Sequence, residues 1–108
     1  MLIAAALVLA SLAAQGDGNG PFTVVRVEAQ QLRLFWQDDQ GRQLRRLDKL
    51  STWLRGQGKT LAFGMNAGMY HADASPVGLL VIDGREIAPL NLAGGEGNFF
   101  LKPNGVFL

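Results

Sequence analysis

Apolar residues in this chain come in short blocks separated by glycine- and aspartate-rich breaks, the spacing of strands and tight turns rather than of long helices. Residues 22–28, FTVVRVE, are β-branched and partly alternating and predict a strand. Residues 31–36, QLRLFW, predict another, with Leu32, Leu34 and Trp36 on one face and Arg33 and Phe35 on the other. Asp38-Asp39-Gln40-Gly41 reads as a turn, and residues 42–47 as a short returning strand. Asp48 is placed to cap a helix running to about Arg55, with Leu50, Trp53 and Leu54 on one side and Gly56 or Gly58 ending it in a left-handed conformation. Strands are expected at residues 60–65 and 78–82. Asp83-Gly84 predicts a tight hairpin turn, because both central positions need positive φ, and residues 85–88 return from it. Residues 91–98 form a glycine-rich loop, 99–102 a strand, and Pro103-Asn104-Gly105 a turn into Val106-Phe107-Leu108. These elements predict an α+β fold: a mostly antiparallel or mixed sheet with one clear helix.

The first 14 residues, MLIAAALVLASLAA, have the length of a secretory hydrophobic region and end in small residues, with Ser11 and Ala13 suitably placed before a cleavage at Ala14. No Lys or Arg precedes the run. It is too short for a membrane-spanning helix, which takes about 20 residues. Residues 15–21, QGDGNGP, read as a flexible spacer, and residues 22–108 as the folded part. A chain that closes on an apolar strand reads as the N-terminal part of a longer domain, since such an edge invites pairing.

Composition narrows the function classes. At 108 residues the chain has room for one small domain, and with 48% hydrophobic and 18% charged residues it is globular rather than disordered. A formal charge of +1 is too small to make nucleic acid an expected partner. Arg42, Arg45, Arg46 and Lys49 cluster, but Asp38, Asp39 and Asp48 flank them, which describes a solvated surface. The absence of cysteine excludes a disulfide framework, a thiol nucleophile and a thiolate zinc site, and a lone histidine excludes any site built on two.

The stretch from Leu61 to Leu80, LAFGMNAGMYHADASPVGLL, carries the candidate chemistry. An apolar strand feeds a polar, glycine-containing loop that returns into a second apolar strand, an arrangement that fixes a loop and exposes its donors. No serine-nucleophile elbow and no P-loop pattern is present. His71 and Asp73, two apart, can share a proton; as a pair they fall short of a metal set, so neither metal nor cofactor is assigned. Asp73 and Glu96 are the acids in glycine-rich surroundings, and the backbone of residues 94–98 can turn successive N–H groups toward an oxyanion.

The wording of this region, FGMNAGMYHADASPVGLLVIDG followed by APLNLAGGEGNFFLKPNGVF, resembles the phosphodiester glycosidase family. The matching pieces are Asn66-Ala67-Gly68-Met69, Pro76 with Gly78-Leu79, Gly84, and the segment from Asn98-Phe99-Phe100 to Asn104-Gly105. The family pattern continues with a Ser-Gly-Pro-type segment, an arginine followed by glycine-rich sequence, and an Asp-Gly-Gly motif, none of which occurs in this chain. The resemblance implies hydrolysis of a sugar-1-phosphodiester by the complete protein, in the periplasm or outside the cell, on a phosphorylated carbohydrate or glycan. It marks Asn66, Gly68 and Gly78 as site formers. Together with the loop chemistry this gives Asn66, His71 and Asp73 as catalytic candidates and Gly68, Tyr70, Gly78, Glu96 and Asn98 as substrate-binding candidates. The alternative expectation is a domain that binds a glycan or cell-envelope phosphodiester without cleaving it.

Overall fold

The computed structural model describes residues 2–7, 20–21 and 24–102. Among these residues it is an α+β fold with one α-helix and antiparallel strands. Strand β1 (Leu2–Leu7) lies between β2 (Leu32–Phe35) and β3 (Leu61–Gly68) in a three-stranded sheet. Ile3 faces Phe35 and Ala6 faces Leu32 on one side; on the other, Ile3 faces Asn66 and Ala6 faces Phe63. The register slips between Leu2 and Ile3 and again between Ala6 and Leu7. The apolar segment that reads as a leader thus supplies the central strand. The expected cleavage point and most of the spacer lie outside the described residues.

Helix α1 (Leu47–Gly56) packs against β3 and forms where the sequence places it. Leu50 and Leu54, one turn apart, are completely enclosed and join Leu44 in the core, with Phe35, Trp53 and Leu61 packed around them. Burying each leucine contributes about 1.5–3 kcal/mol. The approach is so close that a Cβ on Gly64 would meet Leu47 Cδ2 at 2.7 Å and displace the tip of that side chain. Asp48 is not the helix cap. Arg46 holds that position without a side-chain cap, and Asp48 sits in the first turn, accepting a 2.8 Å ion-paired hydrogen bond from the Arg46 guanidinium. That pairing satisfies the carboxylate, which still lies near the positive end of the helix. Gly58, at φ 71°, lies beyond the end of the helix, and Lys59 N–H donates to Leu54 O.

Strands β4 (Leu80–Ile82) and β5 (Arg85–Ala88) form the expected hairpin, with Asp83 at φ 49° and Gly84 at φ 75°. Three expectations need correction. Residues 24–28 form no strand and lead into a 3-10 turn, Ala29–Gln31, whose Gln31 side chain accepts from Glu28 N–H. The returning strand at 42–47 shrinks to a single bridge, Gln37 to Gln43, because the backbone turns at Arg45, φ 23°, where Arg46 N–H donates to Leu44 O. Residues 98–100 are a 3-10 turn, Asn98–Phe100, not a strand: Gly97, at φ 97°, breaks the extended chain, and both phenylalanines fold back onto glycines. The expected turn and strand at 103–108 lie outside the described residues. Among the described residues, no helix is long and apolar enough to cross a membrane.

Candidate functional site

Strand β3 runs past the expected loop opening. Asn66 and Gly68 belong to the strand, paired with Ile3 and Leu2, because β1 continues alongside them. Beyond Gly64 the strand leaves the core and residues 65–68 are exposed. The Asn66 side chain makes no hydrogen bond among the described residues, which leaves its amide free to meet a ligand.

After β3 the chain makes a second, narrower hairpin. Val77 N–H donates to Met69 O (3.2 Å), Tyr70 bridges Pro76, and His71 N–H donates to Ser75 O (2.8 Å). Ala74 N–H closes the tip by donating to His71 O (2.8 Å). Asp73 Oδ1 accepts from both Ser75 N–H (3.0 Å) and Ser75 Oγ–H (2.6 Å). These bonds, the Ser75 hydroxyl first and its N–H second, hold the Asp73 carboxyl below its ordinary range, with the nearby His71 adding a smaller push in the same direction. Asp73 is therefore an ionised acceptor already engaged in the turn. His71 and Tyr70 are exposed on the same hairpin.

Two long side chains from the β2–α1 segment pin this tip. Trp36 Nε1–H donates to Ala74 O (3.1 Å), and Arg45 Nη2–H donates to Asp73 O (3.1 Å). Arg45 is itself held by Gln43 Oε1 (2.9 Å). Ala74 sits in the left-handed region, φ 66°, nearly buried, a conformation a non-glycine residue keeps only where its surroundings impose it.

The second glycine-rich loop is fastened to the root of the first. Asn91 Nδ2–H donates to Val77 O (3.1 Å), while its Oδ1 accepts from Ala93 N–H (3.0 Å). The Phe99 ring lies over Gly78, where a Cβ would come within 2.9 Å of Cε2, and the Phe100 ring lies over Gly95, where the distance would be 2.7 Å. The two rings meet edge-on, their centroids 5.1 Å apart. Gly78 thus faces a phenylalanine ring. Glu96 and Asn98 are exposed on the second loop, and Asn98 O accepts from Leu101 N–H (3.3 Å). Among the described residues, no group of three or more His, Asp or Glu side chains is placed to hold a metal ion.

Sequence reasoning missed Trp36, Arg45, Asn91 and Phe99 as the residues that fix the loops. A half-buried tryptophan needs an acceptor for its N–H, and an asparagine ahead of glycines often folds an Asx turn; those were the available signals.

Over 83 residues the chain is 36% identical to an uncharacterized protein, YigE, of Escherichia coli (strain K12), a match covering 77% of this chain. The chain spans about a third of the length of that curated relative, 32%. No family model matches the chain, and no solved structure does.

Proposed function

We propose that this chain contributes one loop face of a phosphodiester glycosidase site, which in the complete protein hydrolyses a glycosyl phosphodiester outside the cytoplasm. The observation that carries the reading is the pinned hairpin at residues 69–77. Trp36, Arg45 and Asn91 fix its tip and root, while the Asn66 amide before it and the His71 imidazole on it stay exposed and free of hydrogen bonds among the described residues. Donors carried on a fixed backbone are what a developing anion requires. The reaction breaks the bond between the anomeric carbon and the phosphate oxygen. Water supplies the new hydroxyl, and a phosphate monoester departs. That leaving group is already anionic, with a second pKa of about 6, and needs little protonation. An ionised, hydrogen-bonded Asp73 fits such chemistry as a fixed charge that orients Ser75 and attracts His71, in place of a general acid. Glu96, Asn98, Tyr70 and the Gly68 backbone remain the candidates for contacts to the sugar.

One observation favours a second reading. Asp73 is held ionised, with Oδ1 engaged by Ser75, so the hairpin offers donors and an orienting charge but no protonated acid, a combination that also suits a domain that binds the phosphodiester without cleaving it. Incubating the complete protein with N-acetylglucosamine 1-(methyl phosphate) and following free sugar and methyl phosphate separates the two. Release of both supports hydrolysis. Saturable binding without release supports the binder, and neither binding nor release of any glycosyl phosphodiester removes both readings.

A further inference from the structure

A recess of about 330 Å³ opens beside Trp36, between the end of β2, the α1 residue Trp53 and the β4–β5 hairpin. None of the residues considered above as catalytic or substrate-binding lines it. Its apolar wall includes Phe35, Trp36 and Trp53, and its polar wall includes Gln37, Asp83 and Arg85. The aromatic wall is held in place. Phe35 and Trp53 meet edge-on, centroids 5.8 Å apart, and the Trp36 indole N–H is fixed on Ala74 O. Asp38, also on the wall, is closed off, because its side chain is only 7% exposed and is engaged by Arg42 and by the backbone of Gln40 and Arg42. The polar groups opposite are different. Gln37 and Arg85 make no side-chain bond among the described residues, and Asp83 is presented by a turn whose backbone is left-handed.

We infer that this recess is a second binding site, for an uncharged pyranose ring. Its volume is at the small end for ligand sites, the size of a single ring rather than of an oligomer or a peptide. An aromatic wall accepts the C–H face of a sugar, while an amide, a carboxylate and a guanidinium together offer donors and acceptors for the hydroxyls around its edge. A wholly apolar ligand would strip water from Asp83 and Arg85 without replacing it, an unfavourable exchange. An anion is disfavoured too, because the charges on the wall cancel, Arg33 and Arg85 against Asp38 and Asp83. The site is separate from the phosphodiester reading and does not rest on it. It touches that reading at one place: Trp36 carries the hydrogen bond to Ala74, so a ring seated against Trp36 is also felt at the hairpin tip.

The test is a titration followed by the two tryptophan indole N–H signals in a proton–nitrogen correlation spectrum. The probes are the methyl pyranosides of glucose, galactose, mannose and N-acetylglucosamine, with D-glucitol as an acyclic control and inorganic phosphate as an anion control. At least one pyranoside should shift both indole signals saturably, with a dissociation constant of about 1–10 mM. Glucitol and phosphate should not. Arg85 is exposed and outside the core, so Arg85→Ala should keep the fold and weaken the binding at least about fivefold. Trp53→Leu should weaken it further, and the backbone signal of Ala74 should move with the ligand in the parent chain. Linear, non-saturating shifts with all four pyranosides would overturn the proposal, as would equal binding by glucitol or affinity unchanged in Arg85→Ala.

Discussion

Replacing Gly78 by alanine adds one methyl group to the root of the pinned hairpin. The new Cβ would stand 2.9 Å from Phe99 Cε2 and 3.0 Å from Cζ, inside any ordinary carbon–carbon contact. Gly78 is not in the left-handed region, so the backbone accepts alanine and the whole effect comes from space. Two terms oppose each other. A less flexible unfolded chain favours the variant by about 0.4–1 kcal/mol, and overpacking costs about 1–3 kcal/mol because the ring has to move against Phe100. The net expectation is a loss of about 1 kcal/mol, within a range of about 0–2.6 kcal/mol. Urea unfolding followed by tryptophan fluorescence measures it, and a cycle with Phe99→Ala identifies the cause. If the methyl–ring clash is responsible, the double variant loses less than the sum of the singles, by at least about 0.5 kcal/mol. Additive losses, or a stabilised Gly78→Ala, would refute the ring-over-glycine arrangement. Gly56→Ala is the matched control: nothing lies within 4 Å of its would-be Cβ at the end of α1, and it should stabilise by about 0.4–1 kcal/mol.

Further expectations follow from the same contacts. Leu54→Ala removes a completely enclosed side chain and should cost about 2–5 kcal/mol in urea melts, whereas an equal substitution at Leu92, 85% exposed, should cost almost nothing. Asp38, Asp48 and Asp73 all have carboxyls held below their ordinary value of 3.8 in the folded chain. Their contribution is therefore complete above that value and disappears as pH falls through the lower folded values, so the melting temperature should drop below about pH 4. The drop should be shallower in Asp73→Asn, and a melting temperature independent of pH in that window contradicts the hydrogen-bond assignments. Met65, Leu90, Leu92 and Leu101 are each more than half exposed, so sedimentation of the 108-residue chain should show self-association that grows with concentration; a monomer at all concentrations would show those surfaces to be tolerated by water.

The parts of the fold set by local pattern were legible in the sequence. The Leu50–Trp53–Leu54 spacing marks the helix, and Asp83-Gly84 marks the hairpin through its demand for positive φ. The cap at Asp48 was misjudged because Arg46, two residues earlier, competes for the same carboxylate. The strand expected at 99–102 was misjudged because Phe99 and Phe100 have strand propensity, and what they do instead depends on Gly78 and Gly95, residues whose role is to lack a side chain. The polarity of Asn66 breaks the apolar run and so suggests the opening of a loop; the partner strand that extends β3 past it lies about 60 residues earlier in the chain. The anchors of the candidate site are similarly remote. Trp36 reaches 38 residues to Ala74, and Arg45 reaches 28 residues to Asp73. No local spacing encodes such pairs, so the sequence shows which residues stand on the hairpin but not what makes it rigid.

We propose that the Asn66 amide, exposed on β3 beside a fixed hairpin, acts on the substrate's charge. The decisive experiment is the turnover of Asn66→Ala in the complete protein on a glycosyl phosphodiester, taken alongside its melting temperature. Loss of one donor to the developing charge should lower kcat by about 10²-fold or more while the melting temperature stays nearly unchanged, since the amide makes no hydrogen bond among the described residues. A folded Asn66→Ala protein with normal kcat would contradict the claim. So would a variant whose lost activity is matched by lost stability of about 1 kcal/mol, the worth of one structural hydrogen bond.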